Sequence, residues 1–322
     1  MKQIAFDAMW RFQKKGSSKW LTVCLPHDAM QTEKRDPDCP SGAATGFWPG
    51  GSYIYEKVLD VPAGYRDKAI WLRFEGIYEY SRIYVNGNLA AQSDNGYLDF
   101  TVQIDSFLKY GEANLLRVEV DNPGQNSRWY TGSGLYRPVS MLVKDKAHIL
   151  PDGIRIRTLS LHPAVVQVDI TMENCGDQEV KLPLKIEIQE AHAETTATLP
   201  AGETVSETLK LTLEEAKLWS HEHPELTKCA VTLGEETETL RFGIRTVEAV
   251  SGKGLLINGE PVKLYGACLH HDNGMLGAAA HRDAEYRRVR KLKELGYNAI
   301  RSAHNPISRA LLDACDELGL YV

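Results

Sequence analysis

The chain has 322 residues, of which 43% are hydrophobic and 25% are charged, and this composition excludes the disordered and collagen-like classes of protein. Its formal net charge of -6 and its pI near 6.0 provide no basic field for nucleic acid or an anionic membrane surface, so neither is an expected partner. The length predicts two or three domains.

The N-terminal stretch from Met1 to Phe12 has no small-residue cleavage site, and no run of about 18 apolar residues occurs in the chain. We therefore expect a cytoplasmic protein. The six cysteines are scattered, without CxxC pairs or zinc-ligand spacing, and this predicts reduced thiols and no structural metal.

The segment from Ser52 to Val143 consists of short alternating or β-branched runs separated by turn residues, which is typical of an all-β sandwich. Asn86-Gly87 tolerates positive φ and predicts a two-residue hairpin. The predicted strands cover residues 53–61, 68–74, 81–86, 114–121 and 139–143.

A second β-rich block of roughly 95 residues, with a turn about every ten residues, is typical of an immunoglobulin-like sandwich. Pro151-Asp152-Gly153 marks its entry and Gly243 its exit. The predicted strands cover residues 154–159, 165–172, 184–188, 204–211 and 228–233.

The pattern changes after Arg245. A hairpin is predicted around Asn258-Gly259, followed by a buried, nearly continuous apolar strand over residues 262–269. Asp283 is predicted to cap a helix that stops at Gly296.

A second strand is predicted over residues 298–303, a second helix from Ser308 to Gly319, and a third strand from Leu320. This alternation implies parallel strands, as in a (β/α)8 barrel or a doubly wound sheet. A complete barrel needs about 250 residues. Only about 78 residues follow Ile244, so we expect two barrel units and the beginning of a third.

Across its whole length the chain resembles glycoside hydrolase family 2, which includes β-galactosidases, β-glucuronidases and β-mannosidases. The resemblance rests on the order and spacing of several short motifs. These are Leu25-Pro26-His27-Asp28, Gly46-Phe47-Trp48-Pro49-Gly50-Gly51, Ile83-Tyr84-Val85-Asn86-Gly87, Asn126-Ser127-Arg128-Trp129-Tyr130, Gly134-Leu135-Tyr136-Arg137, Phe242-Gly243-Ile244-Arg245, Gly266-Ala267-Cys268-Leu269-His270-His271-Asp272 and Ile300-Arg301-Ser302-Ala303-His304-Asn305-Pro306.

The resemblance implies a mainly β, multidomain protein. Its parts would be a jelly-roll sugar-binding domain over residues 1–146, an immunoglobulin-like sandwich over 147–244, and the first part of a catalytic (β/α)8 TIM barrel over 245–322. The barrel segment is most similar to bacterial β-galactosidases, although it lacks the His-Glu-His form of the first motif that some of them have. We therefore expect carbohydrate, with a terminal β-galactoside favoured, as the partner.

Five candidate substrate ligands follow the two predicted barrel strands: His270, His271, Asp272, His304 and Asn305. The site of a parallel barrel lies at the carboxyl ends of its strands. Imidazole and amide groups hydrogen-bond hydroxyls in both directions, which suits a pyranose. A structural or solvated role is the alternative for each histidine, and Asp272 could instead orient a neighbour or cap a turn.

Arg301 lies within the second strand and is a further candidate, with an ion pair that supports the site as its alternative role. In the first domain, the resemblance implies that a loop reaches the barrel site. Asp121, Asn122 and Arg128 are therefore candidates, although Asp-Asn-Pro-Gly is also a good turn sequence. Packing between domains is favoured over sugar stacking for Trp129 and Tyr130.

Retaining glycosidases need two carboxyl groups about 5 to 5.5 Å apart. In the family the acid/base glutamate follows an asparagine, and this sequence contains no Asn-Glu dipeptide. The catalytic glutamates are thus expected beyond Val322, and the 322 residues alone are expected to be inactive. The sequence leaves open whether the whole parent protein binds magnesium or sodium and whether it forms a homo-oligomer. A β-glucuronidase and a non-catalytic carbohydrate-binding or interaction protein are the alternative functions.

Overall fold

The computed structural model describes residues 2–322. Met1, the first residue of the predicted N-terminal domain, lies outside the described residues. No helix within the described range combines the length and the apolar character that crossing a bilayer requires.

The first β-sandwich is formed by ten strands in two sheets. One sheet has the order β1-β10-β5-β8 and the other the order β3-β2-β4-β9-β6-β7. The strands are β1 Lys2–Ala5, β2 Trp10–Lys14, β3 Leu21–Val23, β4 Gly51–Asp60, β5 Lys68–Phe74, β6 Tyr80–Val85, β7 Asn88–Ser93, β8 Phe100–Gln103, β9 Ala113–Asn122 and β10 Val139–Asp145.

Strand β9 shows how sequence alternation builds this sandwich. Leu116, Val118 and Val120 are each fully buried, and burial of such a side chain contributes roughly 1.5 to 3 kcal/mol. The same alternation continues to the end of the strand. It turns Asn122 inward and leaves Asp121 on the outer face.

The second sandwich packs a three-stranded sheet, β11-β12-β15, on a four-stranded sheet, β14-β13-β16-β17. Its core is one cluster of aliphatic residues from both sheets, among them Val168, Ile186 and Val231. The strands are β11 Ala147–Leu161, β12 Ala164–Asn174, β13 Val180–Ile188, β14 Ala191–Leu199, β15 Thr204–Leu213, β16 Thr227–Leu233 and β17 Glu236–Phe242.

The third segment begins with a small antiparallel sheet and continues as alternating strands and helices. Strands β21 and β22 pair in parallel, and Tyr321 forms a parallel bridge to Ala299, so three consecutive strands run side by side. We call residues 262–322 the barrel segment. The elements are β18 Val247–Val250, β19 Gly254–Ile257, β20 Glu260–Pro261, β21 Gly266–Leu269, α1 Arg282–Glu294, β22 Ala299–Ser302 and α2 Arg309–Leu318.

Two predictions for the barrel segment are wrong in detail. The strand expected to be buried over 262–269 covers only Gly266–Leu269, and residues 266–268 are exposed, because within residues 2–322 it has a neighbour on one edge only. Helix α1 has His281 as its N-cap, without a side-chain capping bond, and Asp283 lies in the first turn. Ser308 does cap α2, since its hydroxyl accepts from Leu311 N at 3.2 Å.

The barrel segment contacts both sandwiches. Trp219 of the second sandwich is 2% exposed, and its Nε1 donates to the Asp316 carbonyl of α2 at 2.8 Å. On the other side, Arg309 of α2 pairs with Asp99 of the first sandwich and Asp152 of the second. The positions of the barrel strands are therefore set by both β domains.

Candidate functional site

Two imidazoles meet at the carboxyl ends of the parallel strands. His270 directly follows β21, His304 lies two residues after β22, and their ring centroids are 5.6 Å apart. Trp129, from the loop between β9 and β10, places its ring 5.3 Å from His270 and 5.5 Å from His304. We call these three residues the Trp-His cluster. It joins the first sandwich to the barrel segment at the edge where the site was predicted.

The buried side chain of Asn122 fixes the loop that carries Trp129. Its Nδ2 donates to the Gly132 carbonyl at 3.2 Å and to Ser133 Oγ at 2.7 Å, and its Oδ1 accepts from Gly124 N at 3.1 Å. Because these bonds use the donor and acceptor atoms of the side-chain amide, the role of Asn122 is to hold the conformation of the loop. Asp121 points to the opposite face of the sheet, where its carboxylate lies 3.9 Å from Arg82.

Several polar atoms of the cluster or of residues close to it have no partner. His270 Nδ1, Asn126 Oδ1 and Asn305 Nδ2 are buried and form no hydrogen bond within residues 2–322. Asn126 is itself anchored, because its Nδ2 donates to Asn122 Oδ1 at 3.0 Å and to the Glu79 carboxylate. Buried polar atoms are nearly always hydrogen-bonded in native proteins, so we expect water or a ligand hydroxyl as the partner of these three.

His271 packs between domains. Its Nε2 donates to the Thr131 carbonyl at 2.8 Å, and its ring stands edge-on to Tyr97 and Tyr136. Burial lowers the pKa of His271 to about 4, so the ring is neutral at neutral pH. Asp272 is half-buried, and its charge adds to the effect of burial that raises the pKa of Tyr130.

Arg301 and Arg128 are both exposed and lie near His304. Arg301 Nη1 lies 3.5 Å from Cys268 Sγ, and no carboxylate pairs with either arginine within the described part of the chain. Loss of water around the ring lowers the pKa of His304, and the charges of Arg301, His270 and Arg128 lower it further. His304 is therefore favoured in its neutral form, which both donates and accepts hydrogen bonds.

Asp28 connects two domains, and no role was predicted for its carboxylate from the sequence. Its Oδ1 accepts from Met30 N and Ser133 N, each at 3.0 Å, and its Oδ2 accepts from the Tyr130 hydroxyl at 2.6 Å and Ala278 N at 2.8 Å. The carboxylate thus joins the Trp129 loop to the barrel segment. Burial raises the pKa of Asp28, and the four donors pull it back toward its ordinary value.

Glycine is required where the Trp129 loop meets the barrel segment. Gly132 has a φ of +66°, and a Cβ built there would lie 2.4 Å from Ala278 Cβ and 3.0 Å from Asp28 Oδ2. Any larger residue would separate the Trp129 loop from the barrel segment.

A network of arginines and carboxylates lies where all three domains meet. Asp152 of the second sandwich accepts from Arg73 and Arg309, each at 2.9 Å, and Arg309 also binds Asp99. Glu75 lies among these charges. Burial raises the pKa of Glu75 to about 7, although the nearby arginines lower it.

The raised pKa of Glu75 predicts a loss of stability between about pH 4.5 and pH 7. Over this range the unfolded chain releases the proton while the folded protein retains it, so unfolding becomes easier as pH rises. We expect a loss on the order of 3 kcal/mol for wild type. Glu75→Gln should remove this part of the slope, measured by urea unfolding at several pH values. Equal slopes for wild type and variant would contradict the assignment.

A further cavity lies away from the Trp-His cluster. A cavity of about 580 Å³ lies at the opposite, amino-terminal ends of the barrel strands, where its lining includes His221, Tyr265 and Tyr321. Within residues 2–322 no group of three or more His, Cys, Asp or Glu side chains is placed to hold a metal ion.

Family models match consecutive parts of this chain. The galactose-binding domain-like model of glycosyl hydrolase family 2 matches residues 10–133, the model described as glycosyl hydrolases family 2 matches 147–245, and the TIM barrel domain model of the family matches 248–322. The chain belongs to glycoside hydrolase family 2. The predicted family and the predicted fold class, two sandwiches followed by part of a TIM barrel, are confirmed.

Individual family 2 proteins support the same assignment. A β-galactosidase of Bacteroides ovatus is 33% identical over 98% of this chain, which spans 40% of that protein. A putative β-glucuronidase of Formosa agariphila is 31% identical over 98% of this chain, which spans 32% of it. The crystal structure of a family 2 member from Bacteroides cellulosilyticus superposes with a TM-score of 0.93 at 33% identity, covering 99% of this chain and 45% of that one. The chain thus spans less than half the length of these relatives.

Proposed function

We propose that this chain forms the sugar-recognition side of a retaining β-glycosidase site, with a terminal β-galactoside as the favoured substrate. The observation that carries the proposal is the Trp-His cluster. An indole from the first sandwich and two imidazoles from adjacent barrel strands face one another at the catalytic edge of a barrel.

The chemistry of the cluster suits a neutral pyranose. The indole offers an apolar face for the C–H surface of a sugar, and the imidazoles offer hydrogen bonds to its hydroxyl groups. The unpartnered atoms of Asn126 and Asn305 provide one acceptor and one donor close by. The arrangement therefore supports recognition by stacking and by several hydroxyl contacts together.

The described glutamates of the third segment do not supply the acid and nucleophile of a retaining mechanism. Glu248 and Glu260 lie in the small antiparallel sheet, and Glu294 and Glu317 lie on helices. Glu285 is buried in α1 and pairs with Arg288 at 3.3 Å. Because retaining hydrolysis needs two carboxyl groups on either side of the scissile bond, these 322 residues provide recognition without bond cleavage.

The first test is hydrolysis by the chain of 322 residues. We expect no release of nitrophenol from nitrophenyl β-galactoside above that of a heat-treated sample, because the described glutamates of the third segment lie in the small sheet and on helices and not as a pair beside the cluster. Turnover that is well above this control, and that is lost in His270→Ala, would contradict the assignment of the chain to recognition alone.

The second test is sugar binding by the Trp-His cluster. We expect Trp129→Ala to weaken galactose binding by about two- to tenfold, since aromatic contacts of this kind contribute roughly 0.5 to 1.5 kcal/mol. Trp20→Ala is a matched control, because that indole lies beside Arg11 at the edge of the first sandwich, with 4.2 Å between the guanidinium carbon and the ring. Binding would be followed by ligand-observed NMR. Equal affinity of both variants and wild type would contradict the proposal.

A β-glucuronide is the second candidate substrate. The observation that favours it is the pair of exposed arginines near His304, which have no carboxylate partner within the described range. A sugar carboxylate could bind there through charge-assisted hydrogen bonds. Methyl β-glucuronide titrated in place of galactose separates the candidates: tighter binding of the glucuronide that weakens with salt would favour the acidic sugar.

A further inference from the structure

Tyr97 lies between the Trp129 loop and the barrel segment. It belongs to the connection between β7 and β8, and its ring stands edge-on to Tyr78 and to His271, each at 5.2 Å between centroids. Its hydroxyl accepts a hydrogen bond from Trp129 Nε1 at 3.2 Å. Tyr97 therefore contacts the indole of the Trp-His cluster and, through its ring, the barrel residue beside His270.

The backbone of Tyr97 is held from both sides. Tyr97 N donates to Asn95 Oδ1 at 2.9 Å. The Arg137 guanidinium, which is 2% exposed, donates from Nη1 to the Tyr97 carbonyl at 2.8 Å and from Nη2 to the Pro306 carbonyl at 2.9 Å. Pro306 lies two residues after His304. One buried cation thus ties the connection that carries Tyr97 to the barrel loop that carries His304.

Trp129 has few other restraints on its ring. Its backbone is held by Ser127, whose Oγ accepts from Trp129 N and donates to the Trp129 carbonyl, each at 3.1 Å. Its indole N–H has the Tyr97 hydroxyl as its hydrogen-bond partner. The side chain is half-buried and packs against His270 and His304, but the Tyr97 hydroxyl is the polar contact that fixes the orientation of its N–H.

We propose that Tyr97 is a positioning residue, whose hydroxyl holds the Trp129 indole in the orientation that faces His270 and His304. Arg137 fixes Tyr97 relative to the loop that carries His304, so the first sandwich sets the distance between Trp129 and the two histidines. This inference rests on the proposed function, in which the face of Trp129 contacts the sugar. It assigns to Tyr97 no contact with the sugar itself.

The test is Tyr97→Phe, which removes the hydroxyl and keeps the ring. The Tyr97 hydroxyl is hydrogen-bonded to the Tyr78 side chain as well as to Trp129. Loss of the bond to Trp129, worth about 0.5 to 1.5 kcal/mol, should raise the Kd for galactose by about two- to tenfold. The indole N–H resonance of Trp129, assigned by its absence in Trp129→Phe, should shift and exchange faster with water. The thermal transition should fall by only a few degrees, because the packed ring remains and each lost hydrogen bond is worth about 0.5 to 1.5 kcal/mol. Tyr110→Phe is the matched control, since its hydroxyl donates to the Asp105 carbonyl at 3.3 Å, away from the cluster.

The outcomes separate this inference from the proposed function. An unchanged Trp129 indole resonance in Tyr97→Phe overturns the positioning role, as does wild-type galactose affinity in that variant when Trp129→Ala binds more weakly. Wild-type affinity in Trp129→Ala, or no binding of either sugar by wild type, overturns the proposed function and with it the link between Tyr97 and sugar. A Tyr110→Phe variant that shifts the Trp129 resonance as much as Tyr97→Phe does would also overturn the inference.

Discussion

Replacing Lys144 with alanine is expected to lower the free energy of unfolding by about 3 to 5 kcal/mol. Lys144 lies near the end of β10 and its side chain is fully buried where the first sandwich meets the second. Its Nζ donates to the Ile149 carbonyl at 2.6 Å and to Glu238, and lies 3.6 Å from Glu236. Removing the cation takes the ammonium group away from the poorly solvated carboxylates of Glu236 and Glu238, and this accounts for most of the lost free energy of unfolding.

Urea unfolding with a matched control checks this prediction. Lys68 pairs with Asp145, but both side chains are well exposed, at 39% and 54%. Lys68→Ala should therefore cost less than about 1 kcal/mol. A triple variant, Lys144→Met with Glu236→Gln and Glu238→Gln, should recover part of the loss because no buried charge remains. Equal costs for Lys144→Ala and Lys68→Ala would show that the buried cation contributes little.

The fold was predictable where local residue chemistry and the tertiary structure agree. Asn86-Gly87 has positive φ at both residues, as a two-residue hairpin between alternating strands requires. Ser308 caps α2, and Gly319 ends it at a φ of +78°. The prediction of a buried strand over 262–269 was wrong for a related reason. An apolar run indicates that a strand could be buried, but its burial depends on neighbouring strands and helices that the run itself does not specify.

The candidate site was predictable only in part. His270 and His304 follow from the rule that barrel sites lie at the carboxyl ends of strands, and the structure brings their rings together. Nothing local in the sequence indicates that Asp28 binds Ala278, 250 residues away, or that Arg137 binds Pro306, 169 residues away. Such partners are chosen by the packing of domains, so no periodicity or motif spacing could reveal them.

Replacing Asp28 with alanine is expected to cost about 3 kcal/mol and to loosen the barrel segment from the first sandwich. The side chain is 4% exposed, and its loss leaves the buried amides of Ser133 and Ala278 and the Tyr130 hydroxyl without their acceptor. Each donor left unsatisfied costs about 1 to 3 kcal/mol when water cannot replace the bond. Because Ala278 belongs to the barrel segment, part of this cost weakens the contact between domains.

Two measurements distinguish lost docking from general destabilisation. Urea unfolding gives the total cost, and limited proteolysis followed by mass spectrometry should show earlier cleavage within residues 270–282 in Asp28→Ala. Asp36→Ala is the control, because the Asp36 carboxylate accepts a local turn bond from Asp38 N, at 2.9 Å on the surface. If Asp28→Ala loses stability but keeps the wild-type cleavage pattern, Asp28 stabilises the first sandwich alone. If the barrel segment is cleaved first, one carboxylate couples the loop that carries Trp129 to the strands that carry His270 and His304.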